Sequence, residues 1–202
     1  NDGTMASKLS IYNTAWNDRV QSRTVASLEG DDDNLLFLEG INQNHFGVEV
    51  ELAAQVHPLA RLDFSVGLGN WVFTEDATGT YRAGTDDETV YSYSLKDLKV
   101  GDMPQFTMAT GITFTPVEGA SIQFLHRLYA FHYADWGPSS REYSDGETPD
   151  RKESYQAPSY GILDIHGSYE LPFSYGNVKP RLFLHVFNAL DATYIQDMED
   201  NS

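Results

Sequence analysis

The chain has 202 residues, a formal net charge of −17 and no cysteine, and 41% of its residues are hydrophobic. This length suffices for one domain with a sizeable core, but no apolar run approaches the roughly 20 residues of a membrane helix, so a helical membrane protein is excluded. The acidic balance opposes binding to a phosphate backbone, and we predict no nucleic-acid partner. The lack of cysteine excludes disulfides and thiolate chemistry.

The aromatic content favours strands over helices. Aromatic residues form 13% of the chain, with 12 Tyr and 11 Phe against 4 Met, and such side chains fit a pleated surface better than a helix. The chain begins at Asn1 without the charged and then apolar segment of a secretory signal. We therefore predict an all-β chain that is a piece of a longer protein.

An alternation of apolar and polar residues marks the strands. Along residues 46–56 the even positions are apolar, whereas the odd positions carry Gly, Glu, Glu, Ala and Gln. The same period of two returns in residues 61–68 and 105–115, so each strand is predicted to have one apolar face and one wet face. The seven predicted strands are residues 8–16, 44–56, 61–73, 105–115, 120–133, 160–169 and 178–188.

The connections between these strands alternate between short and long. The short ones are residues 57–60, 116–119 and 172–177, and the long ones are residues 20–40, 74–103 and 134–157. A transmembrane β-barrel has this asymmetry, because tight turns lie at its periplasmic rim and long loops at its outer rim. The predicted strands are also close to the roughly 9 to 11 residues that a tilted crossing of the bilayer needs. We therefore predict a segment of an antiparallel transmembrane β-barrel.

Aromatic residues recur near the strand ends that lead into the long loops. Tyr12 and Trp16 end the first predicted strand, Trp71 and Phe73 end the third, and residues 129–136 contain four more aromatic residues. In outer-membrane barrels such amphipathic rings lie at the depth of the lipid headgroups. We predict that these rings form an interfacial girdle at the outer rim.

Several segments follow the order and spacing of one protein family. Residues 47–52 place Glu between apolar residues after a Gly, and residues 67–71 end a strand with Gly-Leu-Gly-Asn-Trp. Residues 100–105 then lead through a Pro into the next alternating strand, where Pro needs no ladder hydrogen bond.

A segment near the end of the chain carries the most informative match. Val186, Asn188, Asp191 and Tyr194 fit the pattern Val-x-Asn-Leu-Phe-Asp-x-x-Tyr, from which the Ala-Leu pair at residues 189–190 departs mildly. With the earlier segments, this pattern resembles the C-terminal part of the β-barrel of TonB-dependent outer-membrane receptors. The resemblance covers nearly the whole chain, and it assigns residues 1–202 to one domain, the C-terminal portion of that barrel.

The resemblance implies a transport function. Such receptors have a barrel of about 22 strands that encloses an N-terminal plug, and they import scarce ligands with energy passed from the inner membrane. The implied partners are the TonB–ExbB–ExbD complex, which acts through the plug, a small-molecule ligand, and the lipid and lipopolysaccharide of the outer membrane of a Gram-negative bacterium. Siderophores, haem, cobalamin and oligosaccharides are all imported through this architecture. Acidic, aromatic loops favour a sugar or a neutral chelate over an anion.

The odd number of predicted strands leaves the barrel incomplete. If each long loop is external, the first and last strands both run outward, so at least one further strand must return to the periplasm. The chain ends at Ser202 without the terminal aromatic residue that outer-membrane proteins usually have. We therefore expect that the closing strand and the plug are absent from this segment.

No catalytic motif accompanies the strands. The chain has no Gly-x-Ser-x-Gly, no His-Glu-x-x-His and no phosphate-binding Gly-rich loop, so we predict neither an enzyme nor a cofactor. Glu49 and Glu51 share one strand face, as the paired acids of a glycosidase can. We predict that both face the lumen of the barrel and form hydrogen bonds there.

Two sets of side chains are candidates for contacts inside the barrel. The first set comprises Asp164, His166, Arg181 and His185 on two adjacent predicted strands. Two His and a carboxylate can bind a transition metal, but we predict a polar network that includes the Arg, and no metal site. The second set is a candidate ligand-contact patch at the mouth and on the inward face below it, formed by Arg127, Tyr129, His132, Tyr133, Asp135 and Trp136.

Two other classes of protein also fit the alternation. A complete small outer-membrane barrel or adhesin needs an eighth strand within the long loops, where residues 83–93 have weak β character. A soluble β-sandwich that binds carbohydrate buries its apolar faces against a second sheet, and it is stable in water without detergent. Outer-membrane barrels instead need detergent or lipid.

Overall fold

The structure is a computed structural model, and it describes residues 4–25, 34–82, 90–144 and 146–200. The strands are β1 (Met5–Val25), β2 (Asn34–His57), β3 (Ala60–Phe73), β4 (Ala77–Arg82), β5 (Val90–Tyr93), β6 (Phe106–Phe114), β7 (Ala120–Ala130), β8 (His132–Tyr133), β9 (Asp135–Trp136), β10 (Glu142–Tyr143), β11 (Gln156–Ala157), β12 (Tyr160–Glu170), β13 (Arg181–Val186) and β14 (Glu199–Asp200), and the helix is α1 (Pro138–Arg141). In these ranges no helix has the length and apolar character needed to cross a membrane.

Seven of the strands form an antiparallel meander, in which each strand pairs with the next one along it. Their order across the sheet is β1, β2, β3, β6, β7, β12 and β13. The prediction of an antiparallel all-β chain is confirmed, and the seven strands occupy the predicted places with changed bounds. Among the described residues β1 does not pair with β13, so this sheet is open and does not close into a barrel.

The strand register places apolar residues on one side of the meander, which we call the apolar face. Val50 pairs with Val66, Val66 with Met108, and Met108 with Leu128. Directly opposed side chains point to the same side of a sheet, so this row is apolar over four strands. Exposed large apolar side chains recur across the face, among them Leu9, Leu68, Phe114 and Leu184. The apolar residues of the alternation therefore meet no second sheet in the described chain.

The other side of the meander, which we call the polar face, carries most of the charged side chains of the strands. The Nζ of Lys8 in β1 lies 3.3 Å from a carboxylate oxygen of Glu51 in β2. On β3, Arg61 and Asp63 form an ion pair with an N–O distance of 2.7 Å. Both pairs are exposed, so they contribute little to stability, and their charged groups make this face polar.

The register corrects the predicted aromatic girdle. Tyr12 and Trp71 lie on the polar face, where the indole Nε1 of Trp71 donates a 3.0 Å hydrogen bond to the Tyr12 hydroxyl. Trp136 is 2% exposed within an apolar cluster. A girdle ring must face lipid, so these three rings cannot belong to one. Phe131 is half exposed and packs edge-on against Phe106 of the apolar face.

The long connections contain more strand than the sequence predicts. The paired part of β1 and β2 reaches Val25 and Asn34, inside the predicted loop 20–40. Strands β4 and β5 lie inside the predicted loop 74–103, where β4 pairs with the start of β2 and with β5. The long extension of β2 offers unpaired backbone groups beyond the end of β3, and β4 satisfies them. Residues 83–89 of the proposed eighth strand lie outside the described residues.

These additions make the two ends of the meander different. At one end, which we call the turn end, β2 and β3 are joined by Pro58 and Leu59, and residues 115–119 join β6 to β7. At the other end, which we call the loop end, β4, β5, β8 to β11 and β14 surround the strand termini. The predicted asymmetry between short and long connections is therefore present.

The compact apolar core lies at the loop end. Its buried residues are Leu36, Leu38, Ile41, Phe73, Ala77, Tyr93, Leu95, Leu98 and Trp136. Gly40 has a φ of +68°, and the register between β1 and β2 shifts opposite it. Glycine adopts this backbone conformation readily. Beyond the bulge, the odd- and even-numbered residues of β2 face the opposite sides of the sheet from those they face before it. Leu36 and Leu38 consequently lie on the polar-face side, although their even numbers match the apolar positions further along β2.

Candidate ligand-contact site

A cavity of about 300 Å³ opens on the polar-face side of the loop end, and we call it the rim cavity. Its lining comes from β1, β2, β3, residues 100–103 and β9. The polar and aromatic members are Arg19, Gln21, Arg23, Gln43, His45, Trp71, Phe73, Asp102, Asp135 and Trp136. Asp135 and Trp136 of the predicted patch are therefore part of this cavity.

One wall of the rim cavity is a pair of stacked rings. His45 and Trp71 lie with their ring centres 5.4 Å apart and their planes within 17° of parallel. The Trp71 indole also contacts the Tyr12 hydroxyl, and the Tyr12 ring covers Gly47, where a Cβ would lie 2.3 Å from Tyr12 Cζ. Glycine at position 47 thus lets the ring of Tyr12 lie flat on the sheet. The result is a continuous aromatic surface of the kind that stacks on planar or sugar ligands.

A buried glutamine fixes the backbone at this wall. Gln105 is 4% exposed, and its side-chain amide donates a 3.0 Å hydrogen bond to the carbonyl oxygen of Trp71. Its side-chain oxygen accepts a 3.1 Å hydrogen bond from the Trp71 backbone N–H. The backbone N–H of Gln105 in turn donates to Phe131. Because both ends of the amide are engaged, the position of Trp71 is tightly specified.

Arg23 of β1 connects the cavity to the opposite loop. Its guanidinium donates a 2.7 Å hydrogen bond to the carbonyl oxygen of Trp136 and forms an ion pair with the carboxylate of Asp135. It also lies 4.7 Å from the centre of the Trp136 ring. Three contacts from one side chain hold β9 against the β1–β2 extension.

The electrostatics of the cavity do not favour an anion. Burial, followed by the charges of Asp135 and Asp197, raises the pKa of the Asp102 carboxyl, whereas Arg23 and His132 oppose that rise. Two Arg and two Asp line the cavity, and the charge of Asp197 acts nearby. An anionic ligand needs an excess of positive charge, so the arrangement suits a neutral or cationic ligand.

His132 and Tyr133 of the predicted patch lie just behind this cavity. His132 is 3% exposed, and neither of its ring nitrogens has a hydrogen-bond partner among the described residues. The backbone N–H of Asp102 donates a 3.1 Å hydrogen bond to the carbonyl oxygen of Tyr133. The His132 ring therefore lies behind the cavity wall and is shielded from solvent.

Arg127 and Tyr129 of the predicted patch form a separate group on β7 and β12. Arg127 makes an ion pair with the buried carboxylate of Asp164. The ring of Tyr129 lies 5.0 Å from that of Tyr160, which stacks on Tyr194 at 4.5 Å with nearly parallel planes. The patch of six residues is therefore divided into a rim group and this tyrosine ladder, and no described contact between their side chains joins the two.

The tyrosine ladder depends on a turn at residues 188–192. Asn188, with a φ of +48°, exchanges two hydrogen bonds with Ala192, and its backbone N–H donates to Asp164. The turn that results returns Tyr194 to the face of Tyr160. Asn tolerates this left-handed backbone better than most residues, because its side chain can bond locally.

The predicted network of Asp164, His166, Arg181 and His185 does not form as a unit. Asp164 pairs with Arg127, and Arg181 pairs with Glu170 at 3.2 Å. His166 and His185 instead contact each other. The prediction is wrong because each charged residue has a nearer partner of opposite charge on an adjacent strand. Within the described ranges, no three or more His, Cys, Asp and Glu residues are grouped so that they could hold a metal ion.

A second cavity, of about 470 Å³, lies on the polar face toward the turn end. Lys8, Glu51, Arg61 and Asp63 contribute its charged groups, and small residues such as Ala109 and Gly111 form its floor. Glu51 therefore lies on the wet side, as predicted. These four residues pair with one another, Lys8 with Glu51 and Arg61 with Asp63, so each charge of the cavity wall has a partner of opposite sign.

Sequence reasoning missed most of the residues that shape the rim cavity, and five of them have contacts described above. These five are Arg23, His45, Trp71, Asp102 and Gln105. Trp71, Asp102 and Gln105 lie in residues 67–71 and 100–105, two segments that the sequence analysis selected for their order and spacing, and this was the signal that could have found them. No family model, curated protein or solved structure matches the chain in a search.

Proposed function

We propose that this chain is part of the barrel of an outer-membrane active-transport receptor that resembles the TonB-dependent receptors. In this proposal the apolar face contacts lipid, the polar face lines the lumen, and the loop end faces the outside of the cell. The receptor binds a scarce ligand and imports it to the periplasm with energy supplied through TonB. The role is binding and transport, without bond-making chemistry.

The observation that carries the proposal is the exposed apolar face of the meander. Soluble proteins rarely expose contiguous apolar patches larger than a few hundred Å². Here apolar side chains from all seven strands share one side, and Leu9 and Leu184, on the two edge strands, are 65% and 69% exposed. Lipid contact satisfies such a face, while the hydrogen-bonded strands satisfy the backbone.

The placement of the buried core also supports the proposal. The core and the rim cavity both lie at the loop end, where receptors of this kind bind their ligands, while the turn end has short connections. A soluble sandwich would instead place its core between two sheets along the strands. The position of the core at the loop end therefore favours the membrane proposal over the sandwich.

The rim cavity is the proposed ligand-contact site. Its stacked His45 and Trp71 rings offer an aromatic surface, and its charges are balanced. We therefore propose a neutral ligand with a planar or sugar ring, such as an oligosaccharide or a neutral chelate, in preference to an anionic siderophore. Arg127 and Tyr129 would contact the ligand only after it moves deeper along the polar face.

Intrinsic fluorescence offers a test of the site. All three tryptophans, Trp16, Trp71 and Trp136, lie at the loop end. The receptor that contains this segment, in lipid vesicles, is titrated with a neutral oligosaccharide, cobalamin and an anionic ferric siderophore. The proposal expects a saturable fluorescence change with one of the neutral probes, which Trp71→Phe weakens and Trp16→Phe leaves intact. A response to none of the three, or equal loss in both variants, would overturn it.

Uptake tests the transport step. Cells that produce the receptor containing this segment are given the probe that binds, in strains with and without TonB. The proposal expects accumulation only when TonB is present. Binding at the surface with equal accumulation in both strains would favour an adhesin or a passive barrel.

A further inference from the structure

His166 and His185 form a close pair on the polar face. They are direct cross-strand partners on β12 and β13, and their Nδ1 atoms lie 2.8 Å apart. With no metal between them, this distance requires that one ring donates a proton and the other accepts it. The same two atoms carry the lone pairs with which imidazole binds metals.

The distance between the two nitrogens fits one coordination geometry better than another. With metal–nitrogen bonds of about 2.0 Å, two ligands at a right angle lie about 2.8 Å apart, whereas tetrahedral ligands lie about 3.3 Å apart. The observed 2.8 Å matches adjacent ligands of a square-planar or tetragonal site. Among divalent ions, Cu²⁺ and Ni²⁺ prefer that geometry with nitrogen ligands.

The strand pairing places the two imidazoles next to each other before any ion arrives, because positions 166 and 185 are direct cross-strand partners. Less entropy is then lost when both rings bind one ion. The Phe183 and Phe187 rings stack beside His185 with centres 6.3 Å and 6.1 Å away, and Phe187 also lies edge-on to His166 at 5.8 Å.

The charged groups near the pair are already engaged. Asp164 pairs with Arg127, and Glu170 accepts a hydrogen bond from Arg181. Neither carboxylate needs to move for the imidazoles to bind an ion. The remaining coordination positions are then filled by water, so the site is open on one side.

We propose that His166 and His185 together bind one divalent transition-metal ion, Cu²⁺ or Ni²⁺, through their Nδ1 atoms. Both rings then carry their single proton on Nε2, so the ring that donated the hydrogen bond changes its tautomer. The site is distinct from the rim cavity, and it does not rest on the proposed transport function. It tightens the pairing of β12 with β13 near the edge of the sheet.

The test measures binding of Cu²⁺ and Ni²⁺ to the full chain by calorimetry, with electron paramagnetic resonance of the Cu²⁺ form. We expect one ion per chain and hyperfine splitting from two nitrogens. His166→Gln and His185→Gln each weaken the affinity by at least about tenfold. His57→Gln, which changes an exposed residue at the turn end, leaves it unchanged. Far-ultraviolet circular dichroism verifies that each variant retains its strands.

Two outcomes would overturn the inference. One is the absence of stoichiometric binding by the wild-type chain for either ion. The other is an affinity that survives His166→Gln, or that falls equally in His57→Gln, because the ion would then be held elsewhere. If circular dichroism shows that His185→Gln has lost its strands, the result with His166→Gln decides the question alone. The residue opposite position 166 on β7 is the uncharged Gln123, so the substitution at 166 disturbs no charged pair there.

Discussion

The guanidinium of Arg23 lies over the indole of Trp136, 4.7 Å from the ring centre, and donates a hydrogen bond to the carbonyl oxygen of the same residue. One side chain of β1 thus holds both the ring and the backbone of a residue more than a hundred positions away in the sequence. The contact joins the extended β1–β2 hairpin to the loop that closes the apolar core. The shape of the rim cavity therefore depends on it.

Removal of this contact should loosen the loop end. Arg23 and Asp135 are mostly shielded from water, so Arg23→Ala is expected to lower the free energy of unfolding by about 1 to 3 kcal/mol. Trp136 should become more accessible to acrylamide, which a fluorescence quenching experiment measures. Arg61→Ala is the matched control, because its ion pair with Asp63 is exposed. Equal effects of the two substitutions would contradict the role of Arg23.

The substitution Gly101→Ala should push residues 100–103 away from the segment that contains Ala134 and Asp135. The Cβ of Ala at this position would lie 2.5 Å from the backbone N of Asp135 and 2.6 Å from the carbonyl oxygen of Ala134. Backbone atoms cannot rotate away, so Gly101→Ala is expected to lower stability by about 1 to 3 kcal/mol. Gly111→Ala, whose Cβ meets nothing closer than 3.7 Å, should leave stability unchanged or slightly higher. Thermal unfolding measures both, and similar melting temperatures would contradict the packing at Gly101.

Asp76 should make the loop end sensitive to acid. Burial acts to raise the pKa of its carboxyl, but hydrogen bonds from Arg151, the Lys96 N–H and Tyr143, with the charge of Arg151, lower that pKa from 3.8 to about 2. A depressed carboxyl pKa stabilises the folded state above the unfolded pKa, so this contribution is lost as the pH falls from about 4 to about 2. The difference in unfolding midpoint between wild type and Asp76→Asn should shrink across that window. A constant difference would contradict the ion pair.

Two substitutions of Asn188, in the turn after β13, should distinguish the effect of backbone strain from the effect of lost hydrogen bonds. Asn188→Ala loses two hydrogen bonds with Ala192 and also places Ala at a φ of +48°. Asn188→Gly loses the same bonds without the strain. We expect Asn188→Ala to be the less stable of the two by about 1 kcal/mol. Protease cleavage of residues 187–198 measures the difference, and equal cleavage rates would show that the left-handed backbone is not maintained.

The alternation predicted the meander because each of its strands has one wet face and one apolar face. Val48, Val50 and Leu52 follow that rule and lie where the pattern places them. The extension of β2 was missed because residues 35–38 are a continuous apolar run beside acidic residues, which gives no period of two. The bulge at Gly40 then changes faces, and such a reversal follows from a backbone conformation, not from residue type.

The site was predictable only in part. Asp135 and Trp136 were identified from their place in a long loop, and both line the rim cavity. Arg23 was not identified, because its partners are distant in sequence and the register shift determines where it points. Trp71 was assigned to a lipid-facing girdle because it is an aromatic residue at a strand end. Which face it occupies depends on the pairing with β2.

Lipid accessibility of the two faces tests the central proposal most directly. The chain has no cysteine, so Val66→Cys on the apolar face and Ser65→Cys on the polar face each supply one attachment site for an environment-sensitive fluorophore. Each substitution is made in the receptor that contains this segment, with any cysteine outside the segment replaced, and the labelled receptor is placed in vesicles that contain a lipid with a quencher on its acyl chain. We predict strong quenching and a blue-shifted emission at position 66, with neither at position 65. Equal emission and equal quenching at the two positions would contradict a lipid-facing apolar face and favour a soluble sheet.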